Sequence, residues 1–462
     1  MFKRAEMSAG DLAALKAAPK ASDIFKLAWP MTIKAVFLHG TVLLDGWLVS
    51  PLGEEALAAM GLAGALGGII LGVIFAFSHA LQIRTAQAFG TGDPVYRKSV
   101  LASGLTIGLA IGVIGICAIF LFGQAALGTF ATSEEIAQQA WAYLAIFSLV
   151  IIGESIGQSV SSHFNGCGRT KIPLIGYCLS VPINVICSYT LIHGAFGAPA
   201  FGVAGAAMGS ALAIMVQTIF LASQVIRKDG YLRNVLGWQR ETFQKSIKRH
   251  FEFSLPIAAT FVSATFAGHT CMLIHAKMAL PDFAAMTLIA PWNMVAGQIS
   301  MQWTQATGIM VAQLLGKGAS EPVLDRFLSR AWRGAMIAAG CVAIIFIGMN
   351  LSVDMLYPDL LSETRMTLIG FLPILLIIQV PRTTNAICGN TLRASGDTVY
   401  VMKLFIWAQW GFRVPATAIV VLYFDLSAFW VLSLLVWEEL IKFYPFHQRL
   451  WRGDWKRRSV AG

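Results

Sequence analysis

Blocks of about twenty apolar residues, parted by short polar stretches, recur along the whole chain. That is the length a helix needs to cross a bilayer core of ~30 Å at ~1.5 Å per residue. Twelve blocks can be marked, at about 27–50, 57–83, 99–123, 136–160, 172–194, 200–226, 251–276, 283–312, 334–353, 366–390, 400–422 and 427–448. The pattern predicts an all-α polytopic membrane protein with twelve transmembrane helices. Composition agrees: 56% of the 462 residues are hydrophobic and 13% charged, against ~25% charged in soluble domains.

Charge then orients the chain. The first 26 residues are polar and basic and hold no apolar core of signal-peptide length. With that end inside, the inner connecting segments carry the great majority of the lysines and arginines, while the outer loops carry only Lys277 and Arg365. The outer loops hold acids instead, Glu54 and Glu55, Glu134 and Glu135. Both termini are therefore expected in the cytoplasm, in a plasma membrane of the bacterial inner-membrane type. The net charge of +10 reads as topology and attraction to anionic lipid, not as nucleic-acid binding. Seven scattered cysteines argue against a disulfide framework or a metal site.

The chain repeats itself. "LAWPMTI" returns as "FSLPIAA", aligning Pro30 with Pro256; "ALAAMGL" returns as "DFAAMTL", and "AQAFGTG" as "AQLLGKG", all at an offset of 226. "FNGCGRT" faces "LRASGDT" at 228. Two parallel repeats of six spans follow: an N-lobe over 27–226 and a C-lobe over 251–448. The predicted remainder is a cytoplasmic N-terminal segment (1–26), a basic linker (227–250) and a basic tail (449–462). Two lobes rocking about a cleft are transporter architecture.

The motifs resemble those of the MATE (multidrug and toxic compound extrusion) transporters over nearly the whole chain. The resemblance is carried by "DGWLVSPLGEEALAAMGL" after Pro30, by "AQAFGTGD", by "FNGCGRTKIPL", and most strongly by "PINVICSYTLIHGAFGAPAFGVAGAAMGSALA". It implies an antiporter that moves organic compounds outward and protons or sodium inward. It implies no cofactor beyond the coupling ion, small organic substrates and a lipid bilayer as partners; we expect a monomer. One branch of the family uses a first-span aspartate, a fifth-span Asn and Asp, and a sixth-span Thr. Matched by position these are Asp45, Asn184, Ser188 and Ser210. The second acid is thus a serine here, and the threonine a serine. Another branch uses a seventh-span glutamate, which is Ala264 here.

Asp45 also stands out without the resemblance. A charge inside a membrane helix costs ~2.5–3.5 kcal/mol on insertion scales, and its repeat equivalent is Cys271, so the architecture does not require an acid there. Burial disfavours the charged form of a carboxylate, as a proton switch needs, and hydrogen bonds to the anion oppose this. Asn184 and Ser188 share a helix face; packing by small polar residues is the alternative reading. Pro30 and Pro182 are candidate hinges, although prolines are tolerated in membrane helices. Tyr143 is expected either in the same cavity or at the interface.

In the eighth span Gln298, Gln302 and Gln305 lie on one face. With Trp292 and Trp303 they suit an amphipathic organic cation; the alternative is glue between helices of the C-lobe. Arg413 sits mid-span, and equal depth in the last hairpin pairs it with Glu438 as a structural ion pair. Glu154 and Arg382 are equivalent at the 228 offset and receive no role. Lys34 and the histidines show no metal-ligand spacing. Against an enzyme stands the lack of any H-E-x-x-H motif or other recognisable reacting group. A sodium-coupled exporter, a lipid-linked sugar flippase and a channel remain as competing readings.

Overall fold

A computed structural model describes residues 18–229 and 240–457, and the side chains within 18–227 and 243–457. Twelve helical segments follow one another: α1 (Ala21–Val49), α2 (Glu54–Gly90), α3 (Pro94–Phe130), α4 (Glu134–Gly166), α5 (Lys171–His193), α6 (Val203–Asp229), α7 (Arg240–His275), α8 (Leu280–Gly316), α9 (Glu321–Leu351), α10 (Ser362–Ala394), α11 (Thr398–Tyr423) and α12 (Ala428–Trp451). Among the described residues nine helices are long and apolar enough to cross a membrane on their own, and α10 makes a tenth across a 44° bend between Ile377 and Gln379. The other two, α8 and α12, are the polar ones. α8 carries the three glutamines, and α12 carries Glu438, Glu439 and Lys442.

Local chemistry sets the helix ends. Asp93 accepts from Val95 N and Tyr96 N to cap α3, with Pro94 at the first helical position, and Ser133 caps α4 through Ile136 N. The internal repeat is written into the geometry. α2 and α8 are both 37 residues long with both ends 226 apart, and the ends of α4 and α10 are both 228 apart. Gly92 and Gly318 turn the chain after α2 and α8 with φ of 75° and 66°. Only glycine takes that backbone conformation freely, which explains why those two motifs read alike. The fold is thus twelve helices in two pseudo-symmetric sets of six.

Two compact units result. The N unit holds Ile33–Phe89 and Asp93–Ala258; the C unit holds Gly90–Gly92 and Ala259 onward, with the described residues before Ile33. The N unit packs around Leu48, Ala59, Ile74, Leu144, Ile151 and Ala206, and the C unit around Ile289, Phe346, Phe371 and Val431.

The stretch 227–250 is read from sequence as a polar linker. Its centre, 230–239, lies outside the described residues, as do 1–17 and 458–462. From Arg240 onward, however, the chain is helical and runs unbroken into α7. Hydropathy marks only where a helix meets lipid. "RETFQKSIKRH" is rich in Glu, Gln, Lys and Arg, which are good helix formers, so the helix begins well before the apolar block.

Candidate functional site

The site in the N unit is built on a close contact between α5 and α6. Gly205 and Gly209 are four residues apart and face α5. A Cβ on Gly209 would stand 2.5 Å from Ser188 N and 2.7 Å from Ser188 Cα; one on Gly205 would stand 2.5 Å from Leu191 C. Small residues at this spacing let two membrane helices approach backbone to backbone. The contact delivers Ser210, next in sequence to Gly209, to Asn184. Gly209→Leu is therefore expected to force the helices apart at a cost of ~1–3 kcal/mol or more. Thermal unfolding of the detergent-solubilised protein would register this as a lower midpoint, and an unchanged midpoint would refute the packing role.

Across this seam runs a hydrogen-bond chain from α5 through α6 to α1. Asn184 Nδ2 donates to Ser210 Oγ at 2.9 Å, and Ser210 Oγ donates to Asp45 Oδ2 at 3.1 Å. Asn184 and Ser188 are buried at 4% and 0% exposure, while Asp45 is half-buried. Three buried oxygens of the cluster have no hydrogen-bond partner: Asp45 Oδ1, Asn184 Oδ1 and Ser188 Oγ. Unsatisfied buried oxygens cost ~1–3 kcal/mol each, and all three can accept a proton donor or ligate a small cation. Tyr143 is buried, stacks on Phe147 at 5.5 Å, and interacts electrostatically with Asp45. At the same end of the unit a cavity of about 420 Å³ opens between the α1–α2 connection and the first turns of α4 and α6, with Leu52, Glu55, Glu135, Gln139 and Phe201 in its wall.

The repeat position in the C unit differs. Cys271 makes only a weak contact, its Sγ 3.8 Å from Thr417 Oγ1. Pro30 and Pro182 lie inside α1 and α5, both of which continue through them.

The residues assigned from sequence to a substrate cleft are placed within the C unit as follows. Gln302 is buried and donates to Gln298 at 3.0 Å; Gln305 is half-buried. Trp303 donates to Ala331 O at 3.0 Å, and its ring lies directly against Gly334 of α9. Trp292 donates to Tyr357 OH at 3.0 Å. Trp303 is therefore a packing residue between α8 and α9 in this structure, because a glycine opposite it leaves room for the whole indole. A helical period finds the polar face of α8 but cannot say what that face meets.

Arg413 ends a π-helical segment, Trp407–Arg413, and its Nη1 lies 3.3 Å from Glu438 Oε2. Lys442 extends the pair into a cluster, 3.0 Å from Glu438 and 2.9 Å from Glu439. Asn385 closes it by donating to Glu439 at 2.8 Å, and Arg382 interacts electrostatically with Glu439.

Sequence reasoning missed a second polar cluster in the N unit. Lys34 Nζ donates to Ser161 Oγ at 2.6 Å and to Gln158 Oε1 at 3.3 Å. Gln158 Nε2 in turn donates to Glu154 Oε2 and to Tyr177 OH, both at 2.9 Å. The members are up to 143 residues apart and singly unremarkable. The signal that could have found them is their spacing from the Asp45 cluster.

Comparison with known proteins points to one kind of membrane protein. The MatE family model matches residues 30–190. A probable multidrug resistance protein NorM of Thermotoga maritima is 25% identical over 457 residues, spanning 95% of this chain and 94% of its own. An uncharacterized transporter of Bacillus subtilis, YisQ, is 22% identical over 96% and 97%. Among solved structures, a MATE protein in complex with MaL6 superposes with a TM-score of 0.83 at 19% identity, over 97% of this chain and 100% of the other. An outward-facing multidrug resistance MATE family transporter of the MOP superfamily gives 0.82 at 20%, over 97% and 100%. Those structures share the fold; with the family model and the full-length relatives, they make the chain similar to the MATE family of membrane transporters.

Proposed function

We propose that the protein is a secondary active antiporter that exports organic compounds, cationic or amphipathic, in exchange for inward protons by rocking-type alternating access. The observation that carries this reading is the Asp45 cluster: a carboxylate inside a membrane helix, held by the neutral groups Ser210 and Asn184, with its own Oδ1 and the buried oxygens of Asn184 and Ser188 left open. The multidrug relatives support organic substrates. In the cycle a proton from outside neutralises Asp45, α1 bends at Pro30, and the substrate leaves; beyond Pro182, α5 can bend only together with α6. Loss of the proton to the inside resets the site. The test is export of a fluorescent organic cation from proteoliposomes under an imposed pH gradient at fixed sodium. Export indifferent to that gradient would overturn the proton reading.

The same open oxygens favour one second reading. Asp45, Asn184 and Ser188 present oxygen ligands of the type sodium takes. Ser188 stands where a second carboxylate serves in one branch of the family, and a single negative charge suits a proton better than a desolvated metal ion. Transport driven by a sodium gradient at fixed pH would decide for sodium.

The topology that gives these directions meaning places both termini inside, on the strength of the basic bias. In a cysteine-free background, Phe130→Cys is expected to react with an impermeant thiol reagent from outside and Trp238→Cys only after permeabilisation. Labelling of residue 238 in intact cells would overturn it.

A further inference from the structure

The polar side chains of the N unit form two tiers on the same four helices. The first holds Asp45 on α1, Tyr143 on α4, Asn184 and Ser188 on α5, and Ser210 on α6. The second holds Lys34 on α1, Glu154 on α4, Tyr177 on α5 and Gln217 on α6. The separations are regular. Lys34 to Asp45, Tyr143 to Glu154 and Tyr177 to Ser188 are each eleven residues; Tyr177 to Asn184 and Ser210 to Gln217 are each seven. Eleven residues fall about 20° beyond three helical turns and seven about 20° short of two. On every helix the tiers therefore share one face, about 10–16 Å apart along the axis. Because α1 and α5 run opposite to α4 and α6, the second tier lies to the same side of the first on all four. That is the side the basic segments mark as cytoplasmic.

A polar side chain also stands between the tiers. Ser180 lies between Tyr177 and Asn184 on the α5 stripe, and its Oγ donates to Gln217 Oε1 at 2.9 Å. Glu154 is buried, and the ionisable groups that interact with it are Lys34 from α1 and Tyr177 from α5. Lys34 reaches Glu154 through Gln158, whose Oε1 accepts from Lys34 and whose Nε2 donates to Glu154 and to Tyr177. A carboxylate held at arm's length from its cation can gain or lose a proton without an ion pair being torn apart, whereas a fused buried pair cannot.

We propose that Glu154 is the inner proton-exchange group of the N unit, with Lys34 as its positioning cation; this rests on the proton-coupled reading above. The acid form of Asp45 releases its proton along the hydroxyls of the α5 stripe and intervening water, and the Glu154 carboxylate takes it. Asp45 is then the anion and Glu154 the neutral acid. Glu154 passes the proton to cytoplasmic water and returns to the carboxylate beside the Lys34 ammonium. One proton crosses, and no other group changes charge.

The experiment uses the full chain in proteoliposomes with ethidium as the transported cation. Glu154→Gln is expected to cut pH-gradient-driven net export by about tenfold or more, while ethidium–ethidium exchange, which needs no net proton release, persists. The double variant Lys34→Gln with Glu154→Gln removes both charges and keeps the hydrogen-bonding shapes. It is expected to remain folded and uncoupled. Full gradient-driven export by Glu154→Gln would overturn the proposal, as would recovery of export in the double variant, since that marks a merely structural pair. If the wild-type protein ignores the pH gradient and follows sodium, the proton reading itself has failed, and this proposal with it. If wild-type export follows pH and Glu154→Gln exports normally, only the inner station has failed.

Discussion

Asp45→Asn should reduce gradient-driven export to background while leaving a folded protein that still binds substrate. The substitution keeps size and shape, and Ser210 can still donate to the amide oxygen. What it removes is the group that can carry a charge in one state and a proton in the other. An antiporter whose coupling group no longer changes charge has no reason to prefer one direction, so a gradient ceases to drive it. Proteoliposomes with an imposed pH gradient measure the first half, and thermal stability with and without substrate measures the second. Wild-type export by Asp45→Asn would sink the mechanism. Loss of folding would instead reduce Asp45 to a packing group.

Glu438→Gln should destabilise the C unit more than Arg413→Ala. Glu438 is 5% exposed and serves both Arg413 and Lys442. Without its charge, Arg413 loses its only ion pair among the described residues, at a cost of ~3–5 kcal/mol for an uncompensated buried charge. Without Arg413, Glu438 keeps Lys442, and the loss is nearer the ~1–3 kcal/mol of a broken charged hydrogen bond. Unfolding midpoints of the two purified variants give the order directly. Equal midpoints would mean that the cluster does not work as a shared network.

Much of this architecture is legible in the chain. Hydropathy places the twelve helices, because lipid leaves the backbone no other way to satisfy its polar groups. The repeats carry through to helix lengths and to the left-handed turns at Gly92 and Gly318. The pairing of Arg413 with Glu438 follows from equal depth in a hairpin. The start of α7 is not legible, since charged residues that propagate a helix look like a linker. Nor is the surrounding of Trp303, because amphipathic period gives a direction and not a neighbour. The Lys34–Glu154 tier escapes for another reason. Each residue has an unexceptional reading alone, and their meaning lies in spacings of seven and eleven repeated on four helices.

The glycine seam decides which part of the Asp45 cluster can move. Gly205 and Gly209 bring the backbones of α5 and α6 so close that sliding one past the other would drive main chain into main chain. Asn184, Ser188 and Ser210 therefore ride on a single mechanical piece, a fixed jaw. Asp45 stands on the other jaw, α1, joined to the first by the Ser210 hydroxyl at Asp45 and, one turn on, by His193 Nε2 of α5 against Leu48 O at 3.1 Å. Protonation need not rearrange a pocket. It acts at the joint where α1 meets a pair that moves as one, so the work of a single proton falls on a seam between two pieces.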